Sequence, residues 1–313
     1  MKQKRNLFSA PLCFVINMVL VYVVYEICRL VFLATNWSVF SEAMTWGAFG
    51  EMLHGGWYFD TSAILYTNAL YALLMLFPIH YKERNWYQNM AKWVFVICNS
   101  ICIIANLVDC VYFKYTTRRT TVTVFSEFRN EKNLGGIFGV EILNHWYLVL
   151  IGIILIAGLW FLYRMPKGKL PVEASRPYQP KRLLTYYGVH LLCLAVFVPF
   201  CVAGMRGGFT TAVRPITISN ANQYVNRPQE AAIVLNTPFS IIRTIDKPVF
   251  VVPDYYTEKQ LNAIYSPIHT PSDTLVKRKK NVVVIIIESF GREYIGGFNK
   301  WLENGKYKGY TPF

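Results

Sequence analysis

Acidic residues are scarce in this chain, with 18 Asp and Glu against 32 Lys and Arg and a formal net charge of +14. Charge of either sign accounts for only 16% of residues, while 54% are hydrophobic. Soluble domains carry about a quarter charged residues, so this composition excludes an ordinary pair of soluble domains and points to a membrane. Cysteine is confined as well. All seven (Cys13, Cys28, Cys98, Cys102, Cys110, Cys193 and Cys201) lie in or beside apolar segments, and none follows Cys201. That distribution excludes a disulfide framework and a zinc site. Cys98 and Cys102 share a helix face, but with Ile and Asn as neighbours they read as small buried apolar residues. Basic residues gather at the ends of apolar segments rather than in one patch, which argues against nucleic acid as a partner.

A signal-peptide cleavage site is also missing. The basic start MKQKRNLFSA leads into an apolar run over 11–34 that is too long for a signal-peptide core. It reads as a retained transmembrane helix. Four more runs of roughly spanning length, about 20 residues, follow at 61–79, 91–113, 146–163 and 183–203. The expected fold class is therefore a five-helix α-helical transmembrane domain over 1–204. It is followed by a helical juxtamembrane linker over 205–280 and the first strand of an α/β domain over 281–313.

Short-loop charge sets the expected orientation. Lys2, Lys4 and Arg5 in the tail, Lys82, Arg84 and Lys92 after the second run, and Arg164, Lys167, Lys169, Arg176, Lys181 and Arg182 after the fourth fall on one side. The stretch 36–60 has no basic residue, and the loop after the third run has Lys114, Arg118, Arg119, Arg129 and Lys132. The N-terminus is expected to be cytoplasmic and everything past residue 203 extracytoplasmic.

Ionisable residues inside spans are functional candidates. Glu26, Arg29 and Asp109 all fall in the outer half of the expected bilayer and can meet there, holding a lipid headgroup. The competing reading is structural: Glu26 and Arg29, three apart on one helix, form their own ion pair. Asn17, Asn68, Asn99 and Asn106 suit interhelical hydrogen bonding, and His190 reads as a packing residue. Pro199 is expected to kink the last span. Beyond it, Arg206 and Arg214 lie at headgroup level, where guanidinium groups pair well with phosphate. The stretch QEAAIVLNTPFSIIRT (229–244) reads as two short helices broken at Pro238, with another short helix at 257–265. The basic run KRKK (277–280) marks a boundary, either solvated or touching anionic headgroups.

After that boundary comes NVVVIIIESFGREYIGGF (281–298). The unbroken Val/Ile run from Val282 to Ile287 reads as a strand buried on both faces, placing Glu288 at the carboxyl edge where open α/β sheets bind ligands. From the residues alone, Glu288 is either a metal ligand or a first-turn acid of the next helix.

Five spans, an outer linker and NVVVIIIESFG together resemble the lipoteichoic acid synthase family, a membrane-anchored branch of the alkaline phosphatase and sulfatase superfamily. DCVYFKYTTRRTT, RGGF and NTPFSIIRT are similar to further family stretches. The resemblance implies an enzyme of the bacterial cytoplasmic membrane that moves phosphoglycerol, or a similar phosphate-linked group, from a lipid donor to an extracytoplasmic glycan or glycolipid acceptor. It implies a divalent metal, Mn2+ or Mg2+, held by Glu288 among others. A phospho-threonine intermediate is also implied, but its Thr is expected beyond Phe313, with further Asp and His ligands, so the chain reads as a C-terminally truncated enzyme, inactive alone. Thr311, in YTPF, stands too close to the motif to be that nucleophile. An anchored sulfatase or phosphatase, and a non-catalytic envelope-binding membrane protein, are the alternatives.

Overall fold

The computed structural model describes residues 9–79, 82, 84–166, 180–208, 215–245, 255–265, 281, 283–284 and 291–309. The chain divides into two compact units, Met1–Val251 and Val252–Phe313.

The first unit is built of helices and their connections over its described residues. Helix α1 (Ser9–Thr35) runs into a single turn, α2 (Trp37–Phe40), whose Phe40 packs on Phe32 and Phe113 with ring centroids 6.1 and 5.5 Å apart. Helix α3 (Trp46–Thr67) opens on Thr45, whose hydroxyl accepts from Ala48 N. Such a cap satisfies one of the orphan donors of the first turn. At Asn68 the chain bends by 66° into α4 (Ala69–Leu76). Helix α5 (Asn85–Thr116) stops where Thr117 turns left-handed, at φ 54°. Helix α6 (Val124–Asn130) and α7 (Leu134–Asn144) follow, and α7 meets α8 (Trp146–Leu162) at 83°. Helix α9 (Pro180–Arg206) runs through Pro199 as one helix.

Among the described residues three helices, α1, α5 and the Leu184–Arg206 part of α9, are long and apolar enough to cross a membrane. The bent pairs α3–α4 and α7–α8 raise that number to five if each is one span. Helix α1 packs on α5, α5 on α8 and α3 on α9. Apolar residues also point outward: Leu12, Val19, Val23 and Leu30 on α1, and Ile97, Ile101, Ile104 and Val108 on α5, are all exposed. Helices apolar on both the packed and the outward side are the mark of a lipid-facing bundle.

The second span departs from the sequence expectation. The apolar run begins at residue 61, but the helix begins at Trp46, so 36–60 is largely helical rather than a loop. Residues 46–60 include Glu51, His54, Asp60 and four glycines, which hide the helix from a hydropathy window. Two of those glycines admit neighbours: a Cβ on Gly55 would fall 2.4 Å from Tyr224 Cγ, and one on Gly56 would fall 2.4 Å from Arg29 Cζ.

Polar contacts gather the connections at two ends of the bundle. At one end Asn17 donates to Tyr71 Oη at 2.8 Å and accepts from Arg164 N at 2.8 Å, Tyr186 Oη donates to Ile79 O, and buried Lys82 donates to Met75 O. The N-terminal half of α1 and the segments around 79–82, 164 and 186 therefore share an end. Between the ends, Asn68 and Asn99 exchange side-chain hydrogen bonds of 3.1 and 2.8 Å. His190 is buried, with Nδ1 2.8 Å from Tyr186 O and its ring beside that of Tyr186.

At the opposite end, the segment after α9 folds back onto the helices. A 3-10 turn (Ile218–Tyr224) packs on α3, followed by α10 (Ala231–Val234) and α11 (Thr237–Ile242). The two short helices match the sequence expectation, but the break falls at Leu235–Asn236. Pro238 sits in the first turn of α11, where its missing N–H costs nothing, and so opens a helix instead of breaking one.

In the second unit, α12 (Glu258–Ile264) is capped by a box in which Thr257 and Gln260 pair reciprocally. Three 3-10 turns follow over 292–305, and Asn299 Nδ2 ties the first together through Arg292 O and Ile295 O at 2.8 and 2.9 Å. The expected strand is not seen at the two of its positions that are described: Val283 and Val284 are irregular and exposed. Val282, Ile285, Ile286 and Ile287 lie outside the described residues.

Candidate functional site

The side chains of Arg29, Arg119, Asp60 and Asp109 are buried at the end of the bundle that receives α10 and α11. Relative exposures are 4% for Arg29, 6% for Arg119, and 0% for Asp60 and Asp109. A buried charge is tolerated only when it is paired and its remaining donors or acceptors are filled. Both conditions are met here.

Helix α1 supplies Arg29. Its Nη2 lies 2.5 Å from Asp60 Oδ2 on α3, and its Nε lies 3.3 Å from Glu26 Oε2 one turn back. The third branch, Nη1, donates to Ile233 O and, at 2.8 Å, to Val234 O. Asp60 Oδ1 in turn accepts from Asn236 Nδ2 at 2.8 Å. Asn236 also caps α11, its Oδ1 accepting from Phe239 N at 2.8 Å.

Arg119 makes the second half, on the turn after α5. Its Nε donates to Ala232 O at 2.7 Å and its Nη1 to Asp109 Oδ2 at 3.1 Å, while the guanidinium stacks 3.6 Å from the ring centroid of Phe32. Desolvation pushes the Arg119 guanidinium down from its ordinary value, and the Asp109 carboxylate acts against that push. Asp109 also accepts from the hydroxyls of Thr237 at 2.7 Å and Thr120 at 2.5 Å, and from Thr120 N at 3.1 Å. Asn106 Oδ1 accepts from Thr237 N at 3.0 Å.

The two half-sites meet on one segment. Arginines from two different elements take the carbonyls of Ala232, Ile233 and Val234, the C-terminal end of α10, where cations are favoured. Two aspartates take the side chains of Asn236 and Thr237, which open α11. The arrangement holds 232–237 at six groups, four of the backbone and the side chains of Asn236 and Thr237, and fills the Asp109 carboxylate with donors. Chemically it is a dock: its charged groups are occupied by the protein itself.

Of the sequence candidates, Glu26 and Arg29 are paired as expected. Asp109 does not bond Arg29; it bonds Arg119, and the two pairs meet on 232–237. Arg206 closes α9, its carbonyl accepting from Ile216 N at 3.0 Å, and the neighbouring Met205 O accepts from Arg243 Nη2 and Ser62 Oγ. Arg214 and Glu288 lie outside the described residues, as does Thr311. Among the described residues no group of three or more His, Cys, Asp or Glu is placed to hold a metal.

Asp60, Arg119, Asn236 and Thr237 were not among the candidates. Asp60 sat in a stretch read as a loop, and Arg119 was counted as a topology charge, whereas it is buried. The sequence did carry a signal: Asp109 and Arg119 stand in DCVYFKYTTRRTT, and Asn236 and Thr237 in NTPFSIIRT, and these two stretches touch.

No protein-family model, curated protein or solved structure matches this chain.

Proposed function

We propose that the chain is the membrane anchor, linker and first catalytic segment of a transferase in the bacterial cytoplasmic membrane. It has five spans, a cytoplasmic N-terminus and an extracytoplasmic C-terminal region. The enzyme moves phosphoglycerol, or a similar phosphate-linked group, from a lipid headgroup to an extracytoplasmic glycan or glycolipid. Glu288 is a ligand of the Mn2+ or Mg2+ that neutralises phosphate oxygens during transfer, and a threonine carries the group. The observation that carries the reading is the docking of 232–237 between α1, α3 and α5 by Arg29 with Asp60 and Arg119 with Asp109. A segment tied to the bundle at six points is held with it at the membrane, which supports an enzyme that works on a lipid donor.

A second reading is favoured by the same dock's saturation. A site whose charges are all occupied by the protein suits a non-catalytic envelope-binding protein equally well, and an anchored sulfatase or phosphatase would need the same anchoring. Transfer separates them. Protein from the complete reading frame, in vesicles holding fluorescent phosphatidylglycerol and a glycolipid acceptor, is expected to release diacylglycerol only with Mn2+ or Mg2+ and to label the acceptor. Glu288→Gln is expected to abolish both. Release without acceptor labelling would favour the hydrolase, and no release with either metal would favour the binding protein.

A further inference from the structure

Helix α7 (Leu134–Asn144) buries none of its residues. Ile137, Phe138, Val140, Ile142 and Leu143 are 38–75% exposed, and at about 100° per residue they are spread right round the helix. Its one ionisable residue, Glu141, is taken up by neighbours: Oε1 accepts from Tyr115 Oη at 3.1 Å and Oε2 lies 3.2 Å from His145 Nδ1. The side toward the bundle is not packed either, since Leu134, Ile137, Phe138 and Ile142 line a cavity of about 590 Å³ shared with α5 and α8.

Water gives such a segment little reason to be helical. An isolated helix shorter than about 12–15 residues is marginal there, Gly135, Gly136 and Gly139 weaken it further, and no side chain caps its start. An apolar medium reverses the balance, because open backbone N–H and C=O groups are costly in it and a helix closes them. A helix apolar all round is a covered helix, and among the described residues no protein covers this one. A protein partner would cover one side, whereas the exposed apolar residues lie on all of them.

Its level follows from its neighbours. Helix α8 has 17 residues without a charge, about 25 Å at 1.5 Å per residue, close to the roughly 30 Å hydrocarbon thickness of a bilayer. Val149, Leu150, Ile153 and Ile154 are exposed along it, so lipid-facing surface runs up α8 to the bend. There α7 departs at 83°, roughly parallel to the membrane plane. The bend is level with the end of α5, where Lys114 Nζ lies 3.5 Å from His145 Nε2, and α5 ends on the side of the Arg119 dock. Tyr115, Trp146 and Tyr147 are exposed around the bend, as aromatics are at the boundary between hydrocarbon and headgroups. The charged residues Arg129, Glu131 and Lys132 stand before α7 rather than on it.

We propose that α7 is an in-plane helix sunk into the leaflet on the side of the dock, covered by lipid at the boundary between acyl chains and headgroups. The contact selects no headgroup, because Glu127 is held by Arg118 and Tyr112, and Glu141 by Tyr115 and His145. Its role is to hold the α5–α8 connection, and with it the turn bearing Arg119, at the membrane without crossing it. The inference rests on α8 crossing the membrane and not on the transfer reaction.

Photolabelling of the native chain in nanodiscs, read residue by residue by mass spectrometry, tests it with three probes. These are phosphatidylcholine with a diazirine near the top of one acyl chain, the same lipid with the diazirine at the chain end, and a water-soluble diazirine. Ile137, Val140 and Leu143 are expected to be labelled from the top of the chain and neither from its end nor from water. Ile153 and Ile154 are expected to be labelled by the lipid probes, which checks separately that α8 crosses. Val140→Asp together with Leu143→Asp is expected to abolish lipid labelling of 134–144 and open it to the aqueous probe, while Ile153 and Ile154 keep theirs. Labelling of native α7 from water would overturn the inference. Labelling chiefly from the chain end would make α7 re-entrant, and labelling by none of the probes would mean that protein, such as a second copy, covers it; either result overturns the inference as well. So would unchanged lipid labelling in the aspartate variant, since lipid alone does not hold two carboxylates there.

Discussion

Arg29 and Arg119, from two different elements, grip successive carbonyls of one helical turn: Arg119 takes Ala232 O, and Arg29 takes Ile233 O and Val234 O. Each arginine is neutralised by its own aspartate, Asp60 or Asp109. Residues 232–237 are thereby part of the bundle rather than a tether above it.

Removing one partner of a buried pair leaves an uncompensated charge, at a cost of about 3–5 kcal/mol. Asp60→Ala and Asp109→Ala are each expected to lower stability by that order, measured as the loss of helical signal in denaturant. Because both aspartates act on the same segment, the double variant is expected to lose less than the sum, with a coupling of about 0.5–3 kcal/mol. Strict additivity would mean the two pairs hold separate structures.

Arg119→Lys is expected to behave as a loss, not a conservative change. One ammonium cannot reach Ala232 O and Asp109 and also lie flat on Phe32 as the guanidinium does. Losing one hydrogen bond to a charged group costs about 1.5–3 kcal/mol. The same unfolding measurement checks it, and a lysine variant within error of the native protein would refute the planar-fork account.

Gly56→Ala places a Cβ where the Arg29 guanidinium stands. It is expected to destabilise the bundle even though alanine favours helix over glycine by about 1 kcal/mol. Gly47, on the same helix with open space around it, is the internal control, and Gly47→Ala is expected to be neutral or slightly stabilising. Identical thermal shifts for the two variants would show that Arg29 is not seated against α3.

Much of the bundle was legible because apolar length alone marks a span. Runs at 11–34, 91–113, 146–163 and 183–203 correspond to α1, α5, α8 and most of α9. The second span was misplaced because Gly55, Gly56 and Asp60 depress hydropathy where the helix is packed against a polar partner instead of lipid. The Glu26–Arg29 pair was readable since three residues on one helix fix the geometry. The pairing of Asp109 with Arg119 was not, because it depends on the left-handed turn at Thr117 that brings the chain back along α5. Nor could any local pattern show that Asn236 and Thr237 reach two different aspartates, since those contacts join residues 176 and 128 positions apart.

Hydrogen exchange on the chain in lipid nanodiscs tests the dock most directly. The amides of 233–242 are expected to exchange slowly, at rates set by opening of the bundle, whereas those of α12, which buries no residue, exchange fast. Asp60→Ala is expected to raise the 233–242 rates toward those of α12 while leaving the middle of α5 protected. Exchange over 233–242 as fast as in α12 in the native chain would contradict the account, because a segment that opens freely is not held by Arg29 and Arg119.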